Sequence, residues 1–501
     1  MKRYGLPTIL AALMVLPVLA ASVFACTRGG EIGAADDSAA AGDEFANEKP
    51  SELQSPVFDA DFGGAEIRIL HYETASNPVL TPMNIAEEIG EVVNDAFYRR
   101  NRKVKEDLNV NFRFIEENGE NLTKDKVAKS VMSGSDDYDM IVALQYECVP
   151  QVTNNLFANL TGAPYIDLER PWWPDAYIAE MTIGKGGLYF LTGDISLNFI
   201  KYMSCVYFNK QLYADYFGDP DAMYQTVLDG KWTLDKLGEI SKGIYKDLNG
   251  NGEYDDGDQY AYGVIIYNLT DHFTYNAGVR ATGRDGDGIP YFVMNSERTA
   301  SYAEKLYGLF YENEGGRVFP PTAESTDINI PAKFAAGELL FDLGWFHVAE
   351  RLRDMHTDYG IIPFPKYDES QPEYLSLAHD CVPVYCIPKT CQKTDEVSAA
   401  LEAMAFETHR TAMPAYYEVA LKLKYTRDST EDAFKIIDMI HDNCTTDFAY
   451  IYNYALNGIG LIMRDLMGSK SYDFVSRYEK IEQKAQTGLD KLIETYMENA
   501  D

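Results

Sequence analysis

Apolar and polar residues first alternate at residues 65 to 72, AEIRILHY, where Ile67 and Ile69 share one side of an extended chain before the stretch turns apolar. From 87 to 108 the period lengthens. Ile89, Val92, Val93, Phe97, Val104 and Leu108 recur at helical spacing, and NVNFRFIE, 109 to 116, then returns to alternation through Val110, Phe112 and Phe114. A second helix through Val127 and Val131 leads to a short apolar strand, YDMIVA, at 138 to 143. This order predicts an α/β lobe. In open sheets of that kind ligands sit beyond the carboxyl ends of the strands. Here those ends are polar and aromatic: HYETAS, with Tyr72 and Glu73, and LQYE, with Tyr146.

The next stretch is dense in aromatics. It holds Trp172 and Trp173, a strand-like GLYFLTG, the polar step GDIS and the apolar CVYFN. Helices are predicted at about 233 to 246, 298 to 312 and 331 to 337, and buried strands at GELLFDLG, 337 to 344, and YGIIPFPKY, 359 to 367. The last third reads as mostly helical: 395 to 409, 411 to 424, 430 to 441, 445 to 455 and 471 to 498.

The amino terminus reads as an export signal. Lys2 and Arg3 precede an apolar run over 6 to 24, and VFAC resembles a lipobox, so Cys26 is the expected lipid-bearing first residue of the mature chain. Residues 27 to 57 carry too few large apolar groups to repay the entropy of ordering them and read as a tether. The expected location is the outer face of a bacterial cell membrane. The net charge of −34 excludes nucleic acid and anionic lipid headgroups as partners. Six cysteines beyond Cys26 are scattered without C-x-x-C spacing, which leaves disulfides undecided, and the seven histidines are too dispersed to suggest a metal cluster.

No G-x-S-x-G, H-E-x-x-H or Walker loop occurs, so no enzyme class is indicated. What stands out is aromatic content: 36 Tyr, 24 Phe and 4 Trp. Such rings offer a flat apolar face and a polar edge, suited to a sugar. Trp345 follows a buried strand and is the leading stacking candidate, with Trp172 and Trp173 next, because adjacent side chains on an extended strand face opposite ways and one of the two could reach a cleft. Asp194, Ser196, Asn198, Asp342 and Asp380 could bond hydroxyl groups. DLNGNGEYDDGD, 247 to 258, has calcium-loop spacing: Asp247, Asn249, Asn251, the Glu253 carbonyl, Asp255 and Asp258 as ligands, with Gly252 at the turn. The alternative is a solvated acidic turn. If calcium binds, the expected role is structural.

In order along the chain, NRKVKEDLNVNFRF, YIDLERPWW, GDISLNFIKYMSCVYFNKQL, DGKWTLDKL, the acidic loop, FAAGELLF and YGIIPFPKYDESQPEYLS resemble bacterial extracellular solute-binding proteins of family 1, the lipoprotein receptors of carbohydrate ABC importers. The resemblance implies a two-lobed periplasmic-binding-protein-like α/β fold with crossing hinge strands and a helical C-terminal third. It places the first lobe at 62 to 195 and 343 to 386, and the second at 196 to 342 and 387 to 501. It implies a monomer that captures a sugar and hands it to a permease without catalysis. A secreted carbohydrate-processing enzyme, a surface sensor and a peptide receptor are the alternatives.

Overall fold

The computed structural model describes residues 59–72, 80–117, 122–185, 187–320, 329–417 and 430–498, so Cys26 and Glu73 lie outside the described residues. The strands are β1 (Ala65–Tyr72), β2 (Val110–Glu117), β3 (Met140–Leu144), β4 (Ser204–Asn209), β5 (Tyr260–Ile265), β6 (Thr282–Arg284), β7 (Pro290–Phe292), β8 (Gly316–Phe319), β9 (Leu339–Trp345), β10 (Tyr359–Ile362), β11 (Ser376–Leu377), β12 (Pro383–Cys386) and β13 (Cys444–Thr445).

Two larger sheets define the two lobes. The first runs β12-β3-β1-β2, with β1 parallel to both neighbours and β12 antiparallel to β3. The second runs β10-β4-β9-β5-β8, parallel from β9 to β8 and antiparallel at β4 and β10. Strands β4, β5 and β9 are buried along their whole length. Their near-continuous apolar runs are what a sheet covered on both faces requires.

The helix Val92–Leu108 packs against β2 and the helix Thr394–Glu407, burying Phe97, Val104 and Leu108. It begins later than its periodicity predicts. The Asp95 carboxylate takes the N–H groups of Ile89 and Gly90, Gly90 has φ of 80°, and Ile89 is left 66% exposed before the first turn. Asn109 closes the helix in the left-handed region, where Asn is tolerated. GLYFLTG, expected as a strand, makes only the isolated bridges Ile183 to Gly187 and Leu191 to Tyr385.

The expected lobe boundaries need correcting. β9 runs through residue 343 without a break and β10 also belongs to the second sheet, so the chain returns to the first sheet only at β12. Thr394–Glu407 then packs on β1 and Val92–Leu108, which keeps this stretch with the first lobe. Only later helices, such as Glu431–Asp442 against β10, serve the second. The predicted helix at 445 to 455 shrinks to Phe448–Ile451, because Cys444 and Thr445 pair with β11 instead. The final helix, Phe474–Glu498, sets Tyr496 edge-on against Tyr189 with ring centroids 4.9 Å apart. A Cβ on Gly187 would stand 2.1 Å from that Tyr496 ring, so only glycine admits this approach. Among the described residues no helix is long and apolar enough to cross a membrane.

Candidate functional site

The chain crosses from the first sheet to the second between Leu191 and β4, and returns between β10 and β12. Gly193 opens the first crossing at φ of 130°, where an added Cβ would stand 2.6 Å from the Trp172 carbonyl oxygen. The crossings are tied together: Met203 bridges Ala378 antiparallel, the His379 N–H donates to the Tyr202 carbonyl at 3.1 Å, and the Ser376 hydroxyl donates to the Ser204 carbonyl at 2.9 Å. The side chains at this junction have a reason to be precise, since each sits on a paired backbone.

Several expected ligand residues have structural partners here. Ser196 caps the helix Leu197–Lys201 by accepting from Asn198 N at 3.2 Å. Asn198 is fully buried, and its side-chain oxygen accepts from Thr81 N at 2.8 Å. The Asp194 carboxylate sits 2.5 Å from His409 Nδ1. Asp342 is buried in the second sheet opposite Tyr207, has one oxygen without a partner, and is pushed up to about 7 by burial. Tyr72, at the end of β1, is buried.

Trp172 and Trp173 are both buried, at 1% and 2% exposure, and both indole N–H groups donate to Glu402, at 3.1 and 3.0 Å. The expectation that adjacent indoles diverge fails because the segment is a turn, closed by Trp173 N donating to Arg170 O, and not an extended strand. Burial pushes the Glu402 carboxyl up to about 7 against the pull of these donors. The pair is an anchor for the helix Thr394–Glu407.

Trp345 is also covered, 3% exposed at the end of β9, but its surroundings differ. Its indole N–H donates to His272 Nε2 at 2.8 Å, His347 stacks on it with ring planes 10° apart, and His379 meets it edge-on at 5.3 Å. Tyr202 lies 5.3 Å from His347 and 5.4 Å from His379. Burial holds His272 and His347 well below the usual imidazole range, and each leaves its Nδ1 without a partner. For His379 burial pulls downward as well, but the neighbouring Cys381 and Asp380 outweigh it and raise the group to about 10. The histidines called too dispersed in sequence therefore converge, three of them, around one tryptophan. No spacing rule could have found this, because positions 272, 347 and 379 meet only through the crossing of the chain. His379, Asp380 and Cys381 also present one potential metal-ligating atom each within 4.8 Å of one another.

The accessible edge of the junction is polar and aromatic. Asp380 and Tyr146 are half-buried, with Tyr146 N donating to Asp380 O at 3.1 Å, and the Tyr450 hydroxyl accepts from Asp380 N at 3.1 Å. Tyr267 and Tyr454 are exposed, at 53% and 63%. The Arg464 guanidinium lies 5.1 Å over the Tyr267 ring and is paired with Asp271. Partial burial and the Asp380 carboxylate raise the Tyr454 phenol above its usual range. No sequence pattern sets Tyr267 and Tyr454 apart from the other tyrosines, 36 in all, or singles out Arg464. A recess of about 750 Å³ elsewhere is lined by residues such as Asp235, Lys242 and Glu312, none of which belongs to a crossing.

The acidic loop lies in the second lobe, pinched at its base by the bridge between Lys246 and Gln259. Asp247 accepts from Gly250 N and Gly252 N, and both glycines have φ near 70°. Asp258 is fully buried and accepts from the Tyr245 hydroxyl at 3.0 Å and from Asp255 N at 3.2 Å. The amide nitrogens of Asn249 and Asn251 face Asp255. Their amide oxygens accept from backbone N–H groups, Asn249's from Asn251 N at 2.9 Å and Asn251's from Glu253 N at 2.7 Å, so in this arrangement the loop's polar groups satisfy one another, and calcium would have to compete for those oxygens.

No family model matches the chain and no curated protein matches it in sequence, so its kinship rests on the fold. Among solved structures it is similar to the cyclic α-maltosyl-1,6-maltose binding protein from Arthrobacter globiformis, at 14% identity and TM-score 0.56, covering 85% of this chain and 99% of that one. It is similar to UgpB from Mycobacterium tuberculosis in complex with glycerophosphocholine, at 13% identity and TM-score 0.53, covering 86% and 99%. It is similar too to maltose-bound MalE3 from T. maritima, at 12% identity and TM-score 0.51, covering 85% and 100%. The fold is the two-lobed α/β fold of periplasmic binding proteins, with a helical C-terminal region.

Proposed function

We propose that this protein is the solute-capturing receptor of an ABC importer, of the family 1 type, holding a sugar or short oligosaccharide at the interlobe junction without chemical turnover. The observation that carries the reading is the junction itself. Two hydrogen-bonded crossings bring Tyr146 and Asp380 together with Tyr267, Tyr454 and Arg464, so that rings and hydroxyl-bonding groups from distant segments share one edge. Tyrosine faces suit the apolar side of a pyranose, and a carboxylate beside an arginine suits its hydroxyl groups. A permease is the partner this reading requires. Export through the signal at 1 to 25 and lipid attachment at Cys26 would hold the receptor at the outer face of the membrane. In the same reading the 247 to 258 loop clamps a calcium ion as a structural element of the second lobe.

The test is titration calorimetry and thermal shift against mono- and oligosaccharides, glycerophosphodiesters and short peptides. Binding of a saccharide with a raised melting temperature is expected, since a ligand that binds only the folded state stabilises it. Binding confined to a peptide or a glycerophosphodiester would overturn the carbohydrate reading, and hydrolysis of a bound saccharide would overturn the receptor reading.

A further inference from the structure

We infer that Cys148 and Cys386 close a disulfide when the chain folds under oxidising conditions. Their sulfurs stand 3.7 Å apart although 238 residues separate them in sequence, and both side chains are fully buried. Cys148 ends the short helix Gln145–Cys148 that leaves β3, and Cys386 ends β12, the antiparallel neighbour of β3. Among the described cysteines this is the pair whose sulfurs touch. A disulfide brings its sulfurs to about 2.05 Å, so closing this gap needs an approach of roughly 1.6 Å, within reach of small side-chain rotations.

The pairing has a place in the architecture. Gln145 N donates to Val382 O at 3.0 Å and Tyr146 N to Asp380 O at 3.1 Å, so the turn after β3 already leans on the returning crossing through backbone bonds. A covalent link between Cys148 and Cys386 fastens the two ends of that contact, beneath the edge where Tyr146 and Asp380 face the junction. The order of events follows from burial. Exchange requires a thiolate, and burial together with Cys148 pushes the Cys386 thiol well above its usual range, so the finished core holds little reactive sulfur. The bond therefore forms before the core closes. One cysteine thiolate attacks a disulfide donor, such as oxidised glutathione or a disulfide oxidase, and expels one donor thiol. The second cysteine, as its thiolate, then attacks the mixed disulfide and expels the other. Two protein thiols are oxidised, one donor disulfide is reduced to two thiols, and the protein's two protons leave with them.

The test refolds the full chain from denaturant in a glutathione redox couple, then unfolds the refolded protein in excess alkylating agent so that every free thiol is labelled, and maps peptides without reduction. A linked pair of peptides carrying Cys148 and Cys386 is expected. Refolding in reductant should lower the melting temperature by roughly 3–8 °C, to the level of Cys148→Ala and Cys386→Ala, and those variants should not respond to reductant. Full alkylation of both cysteines in protein that has regained its native fold would overturn the proposal. So would a wild type whose melting temperature does not fall in reductant while the variants melt lower, which would make the pair a packing contact alone. For the chain in the cell the inference rests on the extracytoplasmic reading, and the two fail separately. A link formed on refolding but missing in protein taken from cells would overturn the location and leave the pairing supported.

Discussion

Two clusters in this molecule pair tryptophan with a titratable group, and they do different things. At Trp172 and Trp173 two indole N–H groups converge on Glu402, and the arrangement is closed to solvent. At Trp345 the indole donates to a neutral imidazole, two imidazole nitrogens keep no partner, and the layer borders the exposed Tyr454 and half-buried Asp380 through His379. A cluster whose polar atoms satisfy one another is an anchor. One that leaves buried polar atoms unsatisfied at the meeting of two lobes invites a functional explanation. The sequence offers all three tryptophans as stacking candidates, with Trp345 first for its place after a buried strand, and their partners separate them further.

The strongest way to break this comparison is to truncate both clusters. Trp172→Ala and Trp345→Ala should each cost about 3–5 kcal/mol of stability in denaturant unfolding. Only Trp345→Ala should also weaken solute binding in calorimetry, through the disturbed layer beneath the junction. Equal losses of affinity in both variants would erase the distinction.

A second test turns on pH. Glu402 is raised to about 7 in the folded protein, so folding takes up a proton between the unfolded value near 4.3 and about 7. The stability this group contributes is complete below about pH 4 and lost as pH rises through about 7, on the order of 3 kcal/mol. Asp342, also raised to about 7, acts in the same direction. Unfolding curves from pH 4 to 8 should show Glu402→Gln with a shallower decline than wild type. A parallel decline would mean that the carboxylate is ionised in the anchor throughout.

A finer test addresses the accessible edge. Tyr454→Ala removes an exposed ring, so stability should stay within about 0.5 kcal/mol of wild type, while affinity falls by about 1–2 kcal/mol, roughly 5- to 30-fold. Unchanged affinity would move the site away from this edge. The smallest effect is expected at the loop far from either cluster. Chelation should lower the melting temperature by a few degrees, about 1 kcal/mol of stability, without touching solute affinity, and Asp247→Ala should abolish the response. A wild-type melting curve indifferent to chelation would make residues 247 to 258 an acidic turn.

The strands and helices were readable wherever the evidence was local. Val110, Phe112 and Phe114 alternate because consecutive side chains in a strand point to opposite faces, and β2 follows that pattern; Val92 to Leu108 repeats at the helical period, and the helix is there. Errors came where a hydrogen-bonding partner intervened that apolar periodicity does not register. Asp95 captured the N–H groups before its helix and shortened it, and β11 drew Cys444 and Thr445 out of a predicted helix. The site was less legible than the fold. Asp380 and Tyr146 meet through their backbones at the junction, Asp194, Ser196 and Asn198 have structural partners at the first crossing, and no local pattern singles out Tyr267, Tyr454 and Arg464.

By itself the sequence determined the alternation of strand and helix, the acidic surface and the spacing of the loop at 247 to 258, because each depends on residues within about a dozen positions of one another. Tertiary structure decided which side chains meet: Glu402 with two indoles, three histidines around Trp345, and Cys148 with Cys386. Apart from His347, two positions from Trp345, those contacts join residues tens to hundreds of positions apart. Their existence depends on where the crossings carry the chain, which local periodicity does not encode.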